Sequence, residues 1–223
     1  MLIPWKAETP SYSGATHIGH FPWVTIGLII GNVVTYFLTG WGDPDLILPW
    51  SLEYGNGMHP VQWISHLFMH MEALHLIGNM LFLWVFGMVV EGRLGWWKFL
   101  LVYLGLGIAE GLFEQLATFW FEEGFAAGAS GAIYGLLAMS LIWAPDTEIQ
   151  WLLIVRSFGM RAAWDEVQIP VLGMAVIYIG MDILTALFAN FRVGTATLHV
   201  IGAVLGGIGA VALLRLRWVD CEG

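Results

Sequence analysis

Residues 128–135 read Gly128-Ala129-Ser130-Gly131-Ala132-Ile133-Tyr134-Gly135. Small residues surround a single serine, and the stretch opens an apolar run that ends before Pro145. A helix over 130–144 rises about 22 Å, whereas the hydrocarbon core of a bilayer is about 30 Å thick. If the inner end of that helix reaches the inner interface, Ser130 lies below the outer one. Irregular backbone at such a depth is tolerated only where protein buries it or water lines it. The stretch therefore predicts a membrane protein with a serine at the floor of a wet recess.

Composition agrees with a bilayer. Of 223 residues, 58% are hydrophobic and 11% charged, against about 25% charged in ordinary soluble domains. The expected class is an all-α polytopic membrane protein with one membrane domain. A net charge of −9 with eight Lys+Arg argues against nucleic acid as a partner. Cys221 is the one cysteine, so no internal disulfide is expected. The N-terminus lacks a basic region followed by a short apolar core, and no removable signal peptide is expected.

Working outward, six apolar segments emerge. They run from about Phe21 to Thr39, Glu72 to Val90, Trp96 to Phe119, Ser130 to Ala144, Ile169 to Ala189 and Thr195 to Leu214. Residues 1–20, with His17 and His20, form a tail, and 218–223 form another; the membrane domain is expected over 21–217. The connection 41–70 carries Trp41, Trp50 and Trp63 without Lys or Arg, as befits a structured loop lying in one interface. Residues 91–95 read as a tight turn, Glu122 and Glu123 as a short acidic connection. In the longer connection 145–168, the part from Ile149 to Val155 is expected to lie along the membrane. Lys6, Arg93, Lys98, Arg156, Arg161, Arg215 and Arg217 then fall on the side of the termini and Arg192 opposite. That bias predicts both termini in the cytoplasm.

With this topology the polar residues share a depth. The second, fourth and sixth segments all enter from outside, placing His75 and Asn79, Ser130, and His199 near that side. His75 and Asn79 are four apart and share one helix face. A serine hydroxyl needs an adjacent base to act as a nucleophile, and His199 is the candidate. Gly131 and Gly135 on one helix, and Gly202 and Gly206 on the other, let the two helices approach closely. Asn79, His75 and the free amides at the start of the fourth helix are candidate oxyanion donors. The only lysines, Lys6 and Lys98, lie on the cytoplasmic side, which disfavours a Ser-Lys pair. His66 and His70 are four apart, but no acidic or thiol ligand shares their face, and a metal site is not expected.

Four ordered stretches resemble the rhomboid family of intramembrane serine proteases. His66 to Met80, containing His70, His75 and Asn79, resembles the His-x4-His-x3-Asn signature of the family's second helix. Gly87, Glu91, Arg93 and Gly95 resemble its Glu-x-Arg turn. Gly128-Ala129-Ser130-Gly131 resembles its nucleophile motif, and His199 with Gly202 and Gly206 resembles its sixth-helix motif. The resemblance covers about Trp63 to Ala210. It implies a six-helix core and a Ser130–His199 dyad without a required aspartate. It also implies an oxyanion hole of His75, Asn79 and the Ser130 backbone, transmembrane proteins as substrates, and no metal or cofactor. Leu198 departs from the alanine that often precedes the family's histidine, which bears on how closely the sixth helix approaches the fourth.

Glu110, Glu114 and Asp182 remain inside segments where carboxylates are costly. Packing, lining of a water cavity and support of a moving fifth helix are all open to them. Glu91 and Arg93 are expected to form a structural pair. A rhomboid-like pseudoprotease that escorts transmembrane helices is the alternative function. A small transporter is a third reading, although no internal repeat supports it. The expected location is the inner membrane of a prokaryote, with the site facing away from the cytoplasm; oligomeric state is not legible.

Overall fold

The computed structural model describes residues 2–8, 21–118, 124–155, 163–189 and 194–219. His17, His20, Glu122, Glu123, Arg156, Arg161, Arg192 and Cys221 lie outside the described residues. Six main helices follow the apolar segments: α1 (Trp23–Leu38), α2 (Ala73–Leu94), α3 (Trp96–Thr118), α4 (Ser130–Trp143), α5 (Val171–Phe188) and α6 (Thr195–Arg215). Four of them, α2, α3, α5 and α6, are long and apolar enough to cross a membrane, while α1 and α4 are shorter apolar helices. Their ends have local causes. Pro22 precedes α1 and Pro170 precedes α5, positions where a missing N–H breaks no helical bond. The turn expected at 91–95 is instead the last turn of α2, which ends at Gly95 with φ 76°.

α4 is buried nearly all round, as a helix apolar on every face should be. Its glycines carry the closest helix contact. A Cβ on Gly202 would strike the carbonyl of Gly131, and one on Gly206 the carbonyl of Gly135. On another side Leu106 of α3 packs over Gly135. Large apolar side chains of α5 and α6, among them Val176, Phe188, Val204 and Ile208, are exposed, the pattern expected of lipid-facing surface.

The loop between α1 and α2 is ordered by α3. Gly107 and Gly111, four apart, receive Leu67 and Trp63. One turn further, Gln115 accepts from the backbone N–H of His59 and from the Trp63 indole N–H, and donates to the Glu53 carbonyl.

The chain is not purely helical. Strand β1 (Leu2–Glu8), β4 (Glu148–Val155) and β5 (Ala163–Pro170) form an antiparallel sheet in the order β1-β4-β5, and β2 (Leu52–Tyr54) pairs with β3 (Gly124–Ala126). The stretch 149–155, expected along the membrane as part of a connection, is therefore a paired strand. A run of β-branched and aromatic residues satisfies its backbone by pairing. The start of α1 meets the end of α2, Lys98 Nζ donates to the Trp218 carbonyl at 3.2 Å, and β1 lies on β4. These contacts gather one end of the bundle. β2, β3 and the starts of α2, α4 and α6 gather at the other.

Candidate active site

Ser130 begins α4 after Gly128-Ala129. Gly128 has φ +125°, and its Cβ position lies 2.8 Å from His75 Cε1 and 3.3 Å from Asn79 Nδ2. Glycine is required there both by the left-handed backbone and by this approach. The amide of Gly128 donates to the His66 carbonyl at 2.9 Å. The Gly128-Ala129-Ser130 turn is thus clamped against the residues that sequence spacing nominated on α2.

Those residues form a small network. Asn79 Nδ2 donates to His70 Nε2 at 2.8 Å, and the His70 and His75 rings meet edge to face at 5.2 Å. Asn79 and His70 are buried. His70 thus orients Asn79 and supports His75. His66 turns elsewhere, with Nδ1 2.6 Å from the Gln62 carbonyl. Burial pushes both His66 and His70 down to about 4, so each is a neutral ring at pH 7.

Ser130 and His199 line the same two cavities, of about 280 Å³ and about 450 Å³. His75 and Thr195 line both as well, and Asn79 lines the smaller. Among the described residues, Nε2 of His199 is buried without a hydrogen-bond partner. The nucleophile–base bond expected at about 3 Å is therefore not formed in this state. Leu198 does not hold the helices apart: it faces the larger cavity, while Gly202 remains in contact with Gly131.

Sequence reasoning missed three relationships around the site. The His199 ring stacks on Tyr134, centroids 4.1 Å apart and planes at 13°. Spacing held a signal for this contact, since Tyr134 follows Ser130 by four and shares its face. The Nδ1 of His199 lies 2.8 Å from Asp182 Oδ2 on α5. Glu110, buried on α3, presses its carboxylate on Gly131 at the start of α4. The first-turn amides of α4, Ser130 and Gly131 among them, have no intrahelical acceptor. Glu110 and Glu114 both line the larger cavity. The carboxylate of Glu91 accepts from the N–H groups of Val24 and Thr25 on α1.

Residues 58–216 match the family model described as Rhomboid domain. The chain is 27% identical over 186 residues to "Rhomboid protease GlpG" of Serratia proteamaculans, covering 82% of this chain and 60% of that protein. It is 31% identical over 158 residues to "Rhomboid protease GluP" of Bacillus subtilis, covering 69% of this chain and 26% of that one. Against "Rhomboid-type serine protease 2" of Emericella nidulans it is 32% identical over 145 residues, covering 61% and 26%. The chain thus spans only part of the length of each of these relatives.

Proposed function

Because the chain belongs to the rhomboid family, we propose that it is an intramembrane serine endopeptidase with Ser130 as nucleophile and His199 as base. One observation carries the reading. Both residues line the same cavities, and the buried Nε2 of His199 has no partner among the described residues. The substrates are transmembrane proteins, cut in or near their spanning segments.

The reaction runs in two halves. Ser130 Oγ gives its proton to His199 Nε2 as the Oγ–C bond to the scissile carbonyl forms. The oxyanion takes hydrogen bonds from the Ser130 amide and from His75 and Asn79. The proton on Nε2 then passes to the leaving amine as the C–N bond breaks. Water, activated by the same nitrogen, releases the acyl group and restores Ser130. The reactive groups come together as substrate binds, since apo geometry is often looser than that of the substrate complex.

In this reading the six helices all span, α1 and α4 included, with 21–217 as the membrane domain and 41–70 in the outer interface. Both termini face the cytoplasm, and the membrane is a prokaryotic inner membrane. The pairing of β1 with β4 supports the topology, since it joins the N-terminal segment to the connection after α4.

The test is cleavage of a single-span substrate by protein in liposomes, with fluorophosphonate labelling. Wild type should cleave and label at Ser130, and Ser130→Ala and His199→Ala should do neither. Cleavage by either variant sinks the mechanism. Folded wild type that neither labels nor cleaves points to the helix-escorting pseudoprotease.

A further inference from the structure

We propose, building on the serine-protease reading, that Asp182 is a positioning residue for His199. Its carboxylate holds the Nδ1 proton, so that Nε2 is the nitrogen offered to Ser130.

Nδ1 of His199 and Oδ2 of Asp182 are 2.8 Å apart, with side-chain exposures of 14% and 20%. An ionised carboxylate only accepts. The proton of a neutral imidazole in this contact therefore sits on Nδ1, and the lone pair sits on Nε2. The opposite tautomer carries a proton on Nε2 and cannot take one from Ser130. The ring is held in one further way: Tyr134 stacks on its face from α4. Asp182 from α5 and Tyr134 from α4 thus set the tilt and rotation of a ring carried by α6. Nε2 is buried and without a partner among the described residues, which leaves it available to the hydroxyl across the cavity.

The proton balance is simple. During acylation the Ser130 proton moves to Nε2, while the Nδ1 proton stays on Nδ1. The imidazolium that results lies against the Asp182 charge, and the charge partner departs only when Nε2 gives its proton to the leaving amine. The arrangement extends a two-residue mechanism by a third group supplied from α5.

A purely structural Asp182 would serve only to satisfy polar atoms among apolar helices, and the experiment separates the two roles. Wild type, Asp182→Asn and Asp182→Glu are purified in detergent, and kcat, KM, fluorophosphonate labelling and thermal stability are measured. The tautomer of His199 is read by 15N NMR of the imidazole. Asp182→Asn, whose amide can donate to Nδ1, should lower kcat on the order of a hundredfold, within the usual range for a general base. KM should change little, the tautomer should shift toward protonated Nε2, and Asp182→Glu should recover part of kcat. If Asp182→Asn keeps kcat within about threefold, within the range of an ordinary neighbouring side chain, the proposal is overturned. If that variant does not fold, the wild-type tautomer decides: a proton on Nε2 overturns the proposal and one on Nδ1 supports it. Failure of the protease reading has a different signature, since wild type would then neither label nor cleave whatever the tautomer.

Discussion

Thr25 gives both its backbone N–H and its hydroxyl to Oε2 of Glu91, at 2.8 and 2.7 Å. Val24 adds its N–H to Oε1 at 3.0 Å. No side chain of α1 itself caps that helix. A carboxylate sixty-six residues away in the chain does so instead, satisfying first-turn donors that α1 would otherwise leave bare. Glu91→Ala should lower stability by about 2–4 kcal/mol, the sum of a lost cap and buried charge-assisted bonds. Glu91→Gln should cost roughly half as much, because it keeps one acceptor. Thermal unfolding in detergent measures both, and specific activity of the folded fraction should be unchanged, since Glu91 lies at the end of α2 away from Ser130.

The α4–α6 contact makes a sharper demand. At Gly202 and Gly206 the obstacle to a Cβ is backbone, not a flexible side chain. Gly206→Ala should therefore push the helices apart and cost about 1–3 kcal/mol. It should also reduce labelling of Ser130 by separating it from His199. Gly207 is the control on the same helix, because a Cβ there meets only Ile142 Cδ1 at 3.9 Å. Gly207→Ala should be neutral or slightly stabilising through helix propensity. Equal losses at 206 and 207 would contradict the packing argument.

The difference between what was legible in the sequence and what was not is physical. Apolar run length located the six helices, because burial of a continuous apolar segment is a local property. That Ser130, His75, Asn79 and His199 line one cavity was foreshadowed by the shared direction of the second, fourth and sixth segments. Partner choice was not local. Nothing near Asp182 says that a histidine seventeen residues later bonds to it, and nothing near Glu110 says that it packs on the first turn of α4. Glu91 and Arg93, neighbours in a motif, invited pairing with each other, while the geometry gave Glu91 to α1. The strand at 148–155 escaped notice because its partners, β1 and β5, are a distant segment and a run of mixed polarity.

Stability should depend on pH through His66 and His70. Burial lowers both to about 4 in the fold, against about 6.5 in an unfolded chain. Above pH 6.5 both states hold neutral rings, so neither residue makes stability vary. Between 6.5 and 4 the unfolded chain binds protons that the fold refuses, and stability falls with decreasing pH. The loss is on the order of 3 kcal/mol per residue across that window. Thermal melts from pH 8 to 4 should show a plateau and then a decline, and His66→Gln should flatten the decline by about half. A melting temperature independent of pH down to 4 would contradict the burial of these rings.

Gln115 decides whether the loop before α2 is part of the folded core or a passive connection. Its Oε1 takes the His59 N–H at 3.0 Å and the Trp63 indole N–H at 2.6 Å, and its Nε2 gives to the Glu53 carbonyl at 2.6 Å. The side chain is fully buried, so truncation strands three polar groups at once, each costing about 1 kcal/mol or more. Gln115→Ala should therefore free the loop without disturbing α4. Hydrogen exchange should accelerate by at least about tenfold over residues 53–65, as expected for a local opening weakened by more than 1.4 kcal/mol. Exchange in α4, which is held by Leu106 and by the glycine contacts with α6, should stay as in wild type. Gln115→Glu keeps both acceptor bonds and loses the donor to Glu53, so it should fall between. Unchanged exchange at 53–65 in Gln115→Ala would mean that Leu67 and Trp63 hold the loop through Gly107 and Gly111 alone.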